Sequence, residues 1–225
     1  MDRRGSPEFK IELEGLLKLQ REDGSWPFNA NIGYPSSVFE TAWSLEALAD
    51  ASESESKVIQ RAANWLFGQQ KERGSWGEVK DLKGLAPWWM TPGRSSHATT
   101  SAVVAALARQ GIGKDDERVS LGLEYFCARQ FRAGSWGWRF PHAWGTVSVL
   151  RAFALASEGE DSPAVKRGLD FMLSNTDRYG FWWCPGATSL FMHVYLLLGY
   201  MLDDPLLQRC IIYLVRIRMM MVAGV

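Results

Sequence analysis

Apolar residues fall at helical spacing along most of the chain, in two kinds of segment that alternate. One kind is apolar on one side only. Leu13, Leu16, Leu17 and Leu19 mark the first such segment, and Val58, Ala62, Trp65 and Leu66 the next, interleaved with Lys57, Arg61 and Asn64. Leu121, Tyr125, Phe126 and Ala128 mark another. The other kind is apolar on nearly every side and rich in small residues, as in Ser101-Ala102-Val103-Val104-Ala105-Ala106-Leu107; such segments run over 37–51, 96–110, 143–156 and 187–201. A helix with a polar face meets solvent, and one that is apolar all round is buried. The pattern therefore predicts outer and inner helices in two layers, about nine in all, as hairpins followed by a last outer helix from about Pro205. No stretch alternates with the period of a strand, and the Gly/Pro-rich pieces are turns rather than a domain linker.

The turns repeat. Gln20-Arg21-Glu22-Asp23-Gly24-Ser25-Trp26 returns as Gln70-Lys71-Glu72-Arg73-Gly74-Ser75-Trp76 and as Gln130-Phe131-Arg132-Ala133-Gly134-Ser135-Trp136. Thr176-Asp177-Arg178-Tyr179-Gly180-Phe181-Trp182 is a weaker copy. Each joins an outer segment to an inner one, so the unit is helix, glycine turn, helix. The glycine suits a left-handed turn, and the tryptophan buries a large area while offering one N–H to a partner. Stacked units of this kind form an open solenoid or, if the rotation closes, an α/α toroid.

These repeats resemble the QW motif of the squalene–hopene and oxidosqualene cyclase family, whose relatives include the class II terpene cyclases. The resemblance runs from about Ile11 to Met201. In that family the Gln caps the outer helix and its amide packs against the repeat Trp. The resemblance implies an all-α, α/α toroid (barrel) of helical hairpins around an apolar cavity. It also implies class II chemistry, in which an isoprenoid double bond or epoxide is protonated and rings then close through carbocations. Such protonation needs a carboxylic acid kept protonated by burial or by neighbouring carboxylates, and aromatic faces that stabilise the moving charge in a dry cavity.

The family's acid motif, Asp-x-Asp-Asp-Thr-Ala at the start of an inner helix, is not intact. The segment that aligns is Ser37-Val38-Phe39-Glu40-Thr41-Ala42-Trp43, in which Thr41-Ala42 matches and Glu40 replaces the final Asp. Glu40 is the candidate proton donor in a pocket made by Phe39, Trp43 and neighbouring rings; the alternative is a helix-start carboxylate satisfied by backbone N–H groups. His97, at the next inner-helix start, either orients a catalytic acid or is a helix cap or hydrogen-bonded core residue. Asp115-Asp116-Glu117 and Asp203-Asp204-Pro205 read as helix starts, where carboxylates favour the dipole.

Trp88, Trp89, Trp138, Trp144, Trp182 and Trp183 stand in or beside loops leading into inner helices, where they either line a cavity for a hydrophobic ligand or pack hairpin on hairpin. Cys184 with His193, and His142 or Cys127, do not match the Asp-x-Cys and distant His of prenyltransferase zinc sites, so no metal is expected.

Composition narrows the classes further. Twenty-five basic and 25 acidic residues leave a net charge of zero, which excludes a nucleic-acid partner on electrostatic grounds. Three cysteines without CxxC spacing speak against a disulfide framework or a zinc ribbon and for a reducing compartment. Gly5-Ser6-Pro7-Glu8-Phe9 reads as a vector-derived linker, which sets 1–9 aside and leaves 10–225 as one domain. The apolar stretch 211–225, interrupted by Arg216 and Arg218, fits a buried last helix, with an amphipathic helix on an apolar surface as its alternative.

The expectation is a terpene cyclase-like protein that cyclises a linear isoprenoid after acid initiation, without a redox cofactor. Mg²⁺ would join only with a diphosphate substrate. The alternative is a non-catalytic toroid binding a prenyl chain or a partner, or an incomplete cyclase domain. A closed toroid of the family uses six hairpins, and the pattern here supplies between four and five. An unfinished ring exposes apolar edges, which favours homo-oligomers. A cytoplasmic location, with or without peripheral membrane contact, completes the expectation.

Overall fold

The apolar stripes settle into helices where the pattern places them. The computed structural model describes residues 6–51, 56–137, 142–157, 159, 161–177, 182 and 184–223. Among these, nine α-helices occur: α1 (Pro7–Lys18), α2 (Val38–Asp50), α3 (Ser56–Gly68), α4 (His97–Arg109), α5 (Glu117–Cys127), α6 (Ala143–Leu155), α7 (Pro163–Ser174), α8 (Pro185–Leu197) and α9 (Pro205–Ala223). The inner segments become α2, α4, α6 and α8, the last starting slightly earlier than its apolar pattern. The stretch that reads as a linker lies partly in α1, where Ser6 Oγ accepts the Phe9 N–H at 3.2 Å. One feature is absent from the sequence pattern: Trp26–Pro27 pairs antiparallel with Ser36–Ser37, too short a bridge for alternation to reveal.

The chain separates into two compact units, Met1–Tyr125 and Phe126–Val225, with the division inside α5. In the first unit α2 packs along α4 and on α3; in the second α6 packs along α8 and on α7, and α8 packs on α9. Helix α4 is buried continuously from Thr99 to Leu107. Helix α2 is buried only along Val38, Thr41, Ala42, Leu45 and Leu48, the stripe that meets its neighbours. Inner helices are thus not all enclosed on every side, in contrast to what the sequence pattern suggests. Helix α9 corrects a second expectation. It buries Leu206, Leu207 and Cys210 but exposes Ile212, Val215, Met219 and Met220, although it packs on α8.

Each repeated turn is a corner with the same bonds. The Trp side chain donates Nε1–H to the carbonyl ten residues back in the preceding outer helix: Trp26 to Leu16 at 2.8 Å, Trp76 to Leu66 at 2.7 Å, Trp136 to Phe126 at 2.8 Å and Trp182 to Met172 at 2.7 Å. Its backbone N–H is taken by a Thr hydroxyl of the following inner helix, namely Thr41, Thr100, Thr146 or Thr188. The Gln amide bonds its own turn glycine and also the first turn of the next outer helix. Gln20 reaches Val58 O at 2.9 Å, Gln70 reaches Arg118 O at 2.7 Å and Gln130 reaches Ala164 O at 2.8 Å. The glycines Gly24, Gly74 and Gly134 have φ of 95°, 75° and 88°, and a Cβ there would run into the backbone of Arg61, Leu121 or Arg167. The corner therefore needs glycine twice over, for the left-handed backbone and for the close approach of the next hairpin.

Inner-helix starts are capped by four different residues in one geometry. The side chains of Ser37, Ser96, His142 and Cys184 accept the N–H of Glu40, Thr99, Gly145 and Ala187, respectively. His142 and Cys184 are therefore helix caps.

Candidate functional site

In the first unit, two loops converge at the end where α2 and α4 begin. The loop before α2 forms a turn at Phe28–Ala30, with Asn29 and Ala30 at φ of 52° and 51°. The loop before α4 holds turns at Lys80–Leu82 and Trp88–Met90 and closes with Thr91 at φ 49°. Left-handed backbone at non-glycine residues is costly and gathers at functional sites. Phe28, Leu82 and Met90 bury together beneath these loops, with Phe39, Val79, Ala86 and Trp89 half-buried around them.

That small core presents an aromatic group. The Phe39 ring lies 5.0 Å from Trp43 and 5.5 Å from Trp89, the second contact edge-on at 71°. Trp43 is 59% exposed, so this face is open to solvent. Glu40 occupies the third helical position of α2, in the same turn. It is half-buried, and burial pushes its carboxyl above the usual glutamate range, opposed by a hydrogen bond from the Asn29 backbone.

Pattern reading does not single out Glu78, which is 1% exposed. It follows the second corner and reaches back to the start of α2. Its Oε1 accepts from Phe39 N at 2.7 Å and Ser37 Oγ at 3.2 Å, and its Oε2 accepts from Val38 N at 3.0 Å. Burial raises this carboxyl too, with the donors opposing. The only trace in the sequence is an acid directly after Trp76-Gly77, where the other corners carry Pro27-Phe28 or Gly137-Trp138. Because Glu78 sits in the loop that leads into α4, and Trp76 O accepts from Ser96 N at 2.9 Å, α2 and α4 start at one end and run parallel.

The remaining sequence candidates divide as follows. His97 is the first residue of α4, half-buried, its ring 5.4 Å from Tyr125. Trp89 and Trp43 join Phe39, as described. Trp88 opens the Trp88–Met90 turn; its side chain, like Trp138 and Trp183 as a whole, lies outside the described residues. Trp144, in the second unit, is 45% exposed and sits over Gly186 at the start of α8. Trp182 is fully buried, donates to Met172 and lies 4.1 Å from the Phe191 ring. It fills the corner position of Trp26, Trp76 and Trp136, and so packs hairpins together instead of lining a cavity.

The acidic runs behave as helix starts. Asp116 accepts from Arg118 and is held below the usual aspartate range by that partner, and Asp204 Oδ1 accepts from Leu206 N at 2.8 Å. A cleft of about 360 Å³ in the second unit, lined by Leu173, Thr176, Asp177, Tyr195, Asp204 and Arg209 among others, contains none of the sequence candidates. Among the described residues, no helix is long and apolar enough to cross a membrane.

Comparison with known proteins agrees with this architecture. The family model described as the squalene-hopene cyclase C-terminal domain matches residues 2–145 and 93–191. Squalene–hopene cyclases of Bradyrhizobium diazoefficiens and Zymomonas mobilis are 27% and 24% identical, each over 78% of this chain and 30% of the relative. The chain thus spans about 30% of the length of these curated relatives. Among solved structures, a type II terpene cyclase from Scytonema superposes with a TM-score of 0.67 at 20% identity, covering 94% of this chain and 65% of that one. The same enzyme in a variant form, with geranylgeranyl dihydroxybenzoate as substrate, gives a TM-score of 0.67 at 19% identity over 94% and 64%. An ent-copalyl diphosphate synthase from Streptomyces platensis gives 0.60 at 19% identity over 82% and 37%. At these identities the structures speak for the fold, which is of the α/α-toroid class. The two matched segments together span most of the sequence, and the chain belongs to the squalene–hopene cyclase C-terminal domain family.

Proposed function

We propose that this chain carries the acid end of a class II-type terpene cyclase, acting on a linear isoprenoid. Glu40 is the observation that carries the proposal: a half-buried carboxyl with a raised pKa, on the first turn of an inner helix whose residues Phe39 and Trp43 form an aromatic group with Trp89. A carboxyl that stays protonated can deliver its proton to an alkene or epoxide, and the faces of three rings stabilise the carbocation that results. His97, starting the adjoining helix, is assigned to orienting that acid. The solved Scytonema relative with its geranylgeranyl substrate supports an isoprenoid of similar character.

A diphosphate substrate would bring Mg²⁺. The acids at hand do not fit that ion: Glu78 is committed to backbone amides and Glu40 must stay protonated, so no step runs through a metal.

The exposure of Trp43 and Trp144 favours a second reading, a prenyl-chain-binding or incomplete cyclase domain whose apolar face is covered by a longer chain, a second copy or a membrane surface. Incubation with farnesyl and geranylgeranyl diphosphates, squalene and oxidosqualene, followed by product analysis, separates the two. Cyclised product from the wild type and its loss by at least a hundredfold in Glu40→Gln is the expected result. Turnover by the Gln variant at the wild-type rate would remove Glu40 from the chemistry. Quenching of tryptophan fluorescence by these compounds without any product would favour the binding domain.

A further inference from the structure

We infer that the cleft of the second unit is a site for a primary carboxamide, the group that three corners hold on their own glutamine and the fourth corner lacks. Gln20, Gln70 and Gln130 each stand four residues after the carbonyl that takes the Trp Nε1–H, and each donates to a carbonyl in the first turn of the next outer helix. In two corners an arginine three residues past that second carbonyl completes the grip. Arg61 donates to Gln20 Oε1, and Arg167 Nε to Gln130 Oε1 at 3.0 Å. At the fourth corner the glutamine position is Thr176, which turns back on its own helix and donates to Met172 O at 2.9 Å. The corner is nevertheless formed, with Trp182 Nε1 donating to Met172 O and Trp182 N to the Thr188 hydroxyl. The receiving helix is built alike. Asp204-Pro205-Leu206-Leu207-Gln208-Arg209 at the start of α9 falls in register with Ser162-Pro163-Ala164-Val165-Lys166-Arg167 at the start of α7, so Leu206 and Arg209 stand where Ala164 and Arg167 hold Gln130. The cleft of about 360 Å³ has Thr176, Leu206 and Arg209 in its lining. The receptor is built, and the chain supplies no glutamine to fill it. Such a receptor asks for an N–H donor toward the Leu206 carbonyl and an acceptor toward the Arg209 guanidinium, which a carboxamide carries on one carbon. An anion suits it less: Asp177 and Asp204 line the same cleft, and Asp204 is held there by Leu206 N and Leu207 N, so a carboxylate guest meets like charges beside Arg209.

The test titrates propionamide, a glutamine side chain cut free of its backbone, into the ¹⁵N-labelled protein. The backbone amides of 206–210 are expected to shift with a Kd in the millimolar range open to so small a guest. Propionate, the same shape with a negative charge, is expected to bind at least about threefold more weakly. Thr176→Gln supplies the group from within the chain and is expected to abolish the response. Arg209→Leu, which installs the residue that the second corner carries at this position as Leu121, is expected to weaken binding about fivefold. Unmoved amides in the wild type, an equal response in Thr176→Gln, or propionate binding as tightly as propionamide overturns the inference. If Thr176→Gln does not fold, Arg209→Leu decides, and an unchanged Kd there overturns it. A small amide and a glutamine on a polypeptide share this chemistry, and acetyl-Gly-Gln-Gly methylamide titrated in parallel separates them. Tighter binding of the peptide assigns the guest to a polypeptide; binding of propionamide with the peptide excluded assigns it to a small molecule. None of these measurements involves Glu40 or turnover, so they stand apart from the proposed function.

Discussion

At the scale of single residues, the corner chemistry is where sequence and structure agree most fully. Gln, Gly and Trp recur because each has a bond or a clearance that no substitute provides, and a recurring need leaves a recurring letter. The Thr that receives the Trp backbone N–H is equally regular, always four residues after the helix cap, yet in one copy it coincides with the tail of the family's acid motif and reads as chemistry there. Glu78 occurs once, so no repetition exposes it, and its partners lie about forty residues earlier in the chain. Serine shows the reverse case. Ser25 and Ser75 pair with Ser36 and Ser95 at 2.6 and 2.7 Å, but the matching position in the third corner is Pro141, which has no hydroxyl, and Ser135 Oγ is buried with no partner among the described residues. Ser135→Ala is therefore expected to be neutral or to stabilise by up to about 1 kcal/mol in urea unfolding, whereas Ser75→Ala should destabilise by a similar amount. Equal losses in both would show that Ser135 has an acceptor after all.

At the scale of elements, helix position and type were legible because the apolar stripe is set by the 3.6-residue period, but cap identity was only half so. Ser37 and Ser96 are ordinary caps; His142 and Cys184 are not, since an imidazole or a thiol suits metal ligation or proton transfer as readily as it suits a helix start. The cap role has a consequence for pH. His142 Nδ1 accepts the Gly145 N–H at 2.9 Å, which requires an unprotonated Nδ1, and burial holds the imidazole below its ordinary value of 6.5. Between the folded and unfolded values the unfolded chain binds more protons, so stability is complete above about pH 6.5 and declines as pH falls through the lowered folded value. His142→Ser keeps a cap and removes the titration. Its thermal midpoint is expected to lose less than the wild type's between pH 7.5 and pH 5.5, about one pH unit either side of the free imidazole pKa; parallel losses would assign the acid sensitivity elsewhere.

At the scale of the whole molecule, exposed apolar surface sets what substitution can do. Met219 and Ile212 are more than half and about half exposed, and Leu207 is enclosed, on one and the same helix. Met219→Glu is expected to change unfolding free energy by no more than about 0.5 kcal/mol while raising solubility, and Leu207→Ala to cost about 2–5 kcal/mol. A large loss for Met219→Glu would mean that a partner covers that face in solution. The hairpin count and layer order were legible from pattern alone; the open aromatic face over Trp43 was not, because exposure depends on which neighbours are present and a stripe records only which side is apolar.

The long reach of the corner glutamines has one further effect. Gln20, Gln70 and Gln130 each bond a carbonyl more than thirty residues ahead, and the glycine beside each is shaped to the helix found there. A bend therefore becomes finished only when the following segment has been synthesised and docked. Damage from a premature stop travels backward: ending translation after Arg109 would unsettle the bend at Gln70, whose own letters are all present, because the Arg118 carbonyl it grips would never be made.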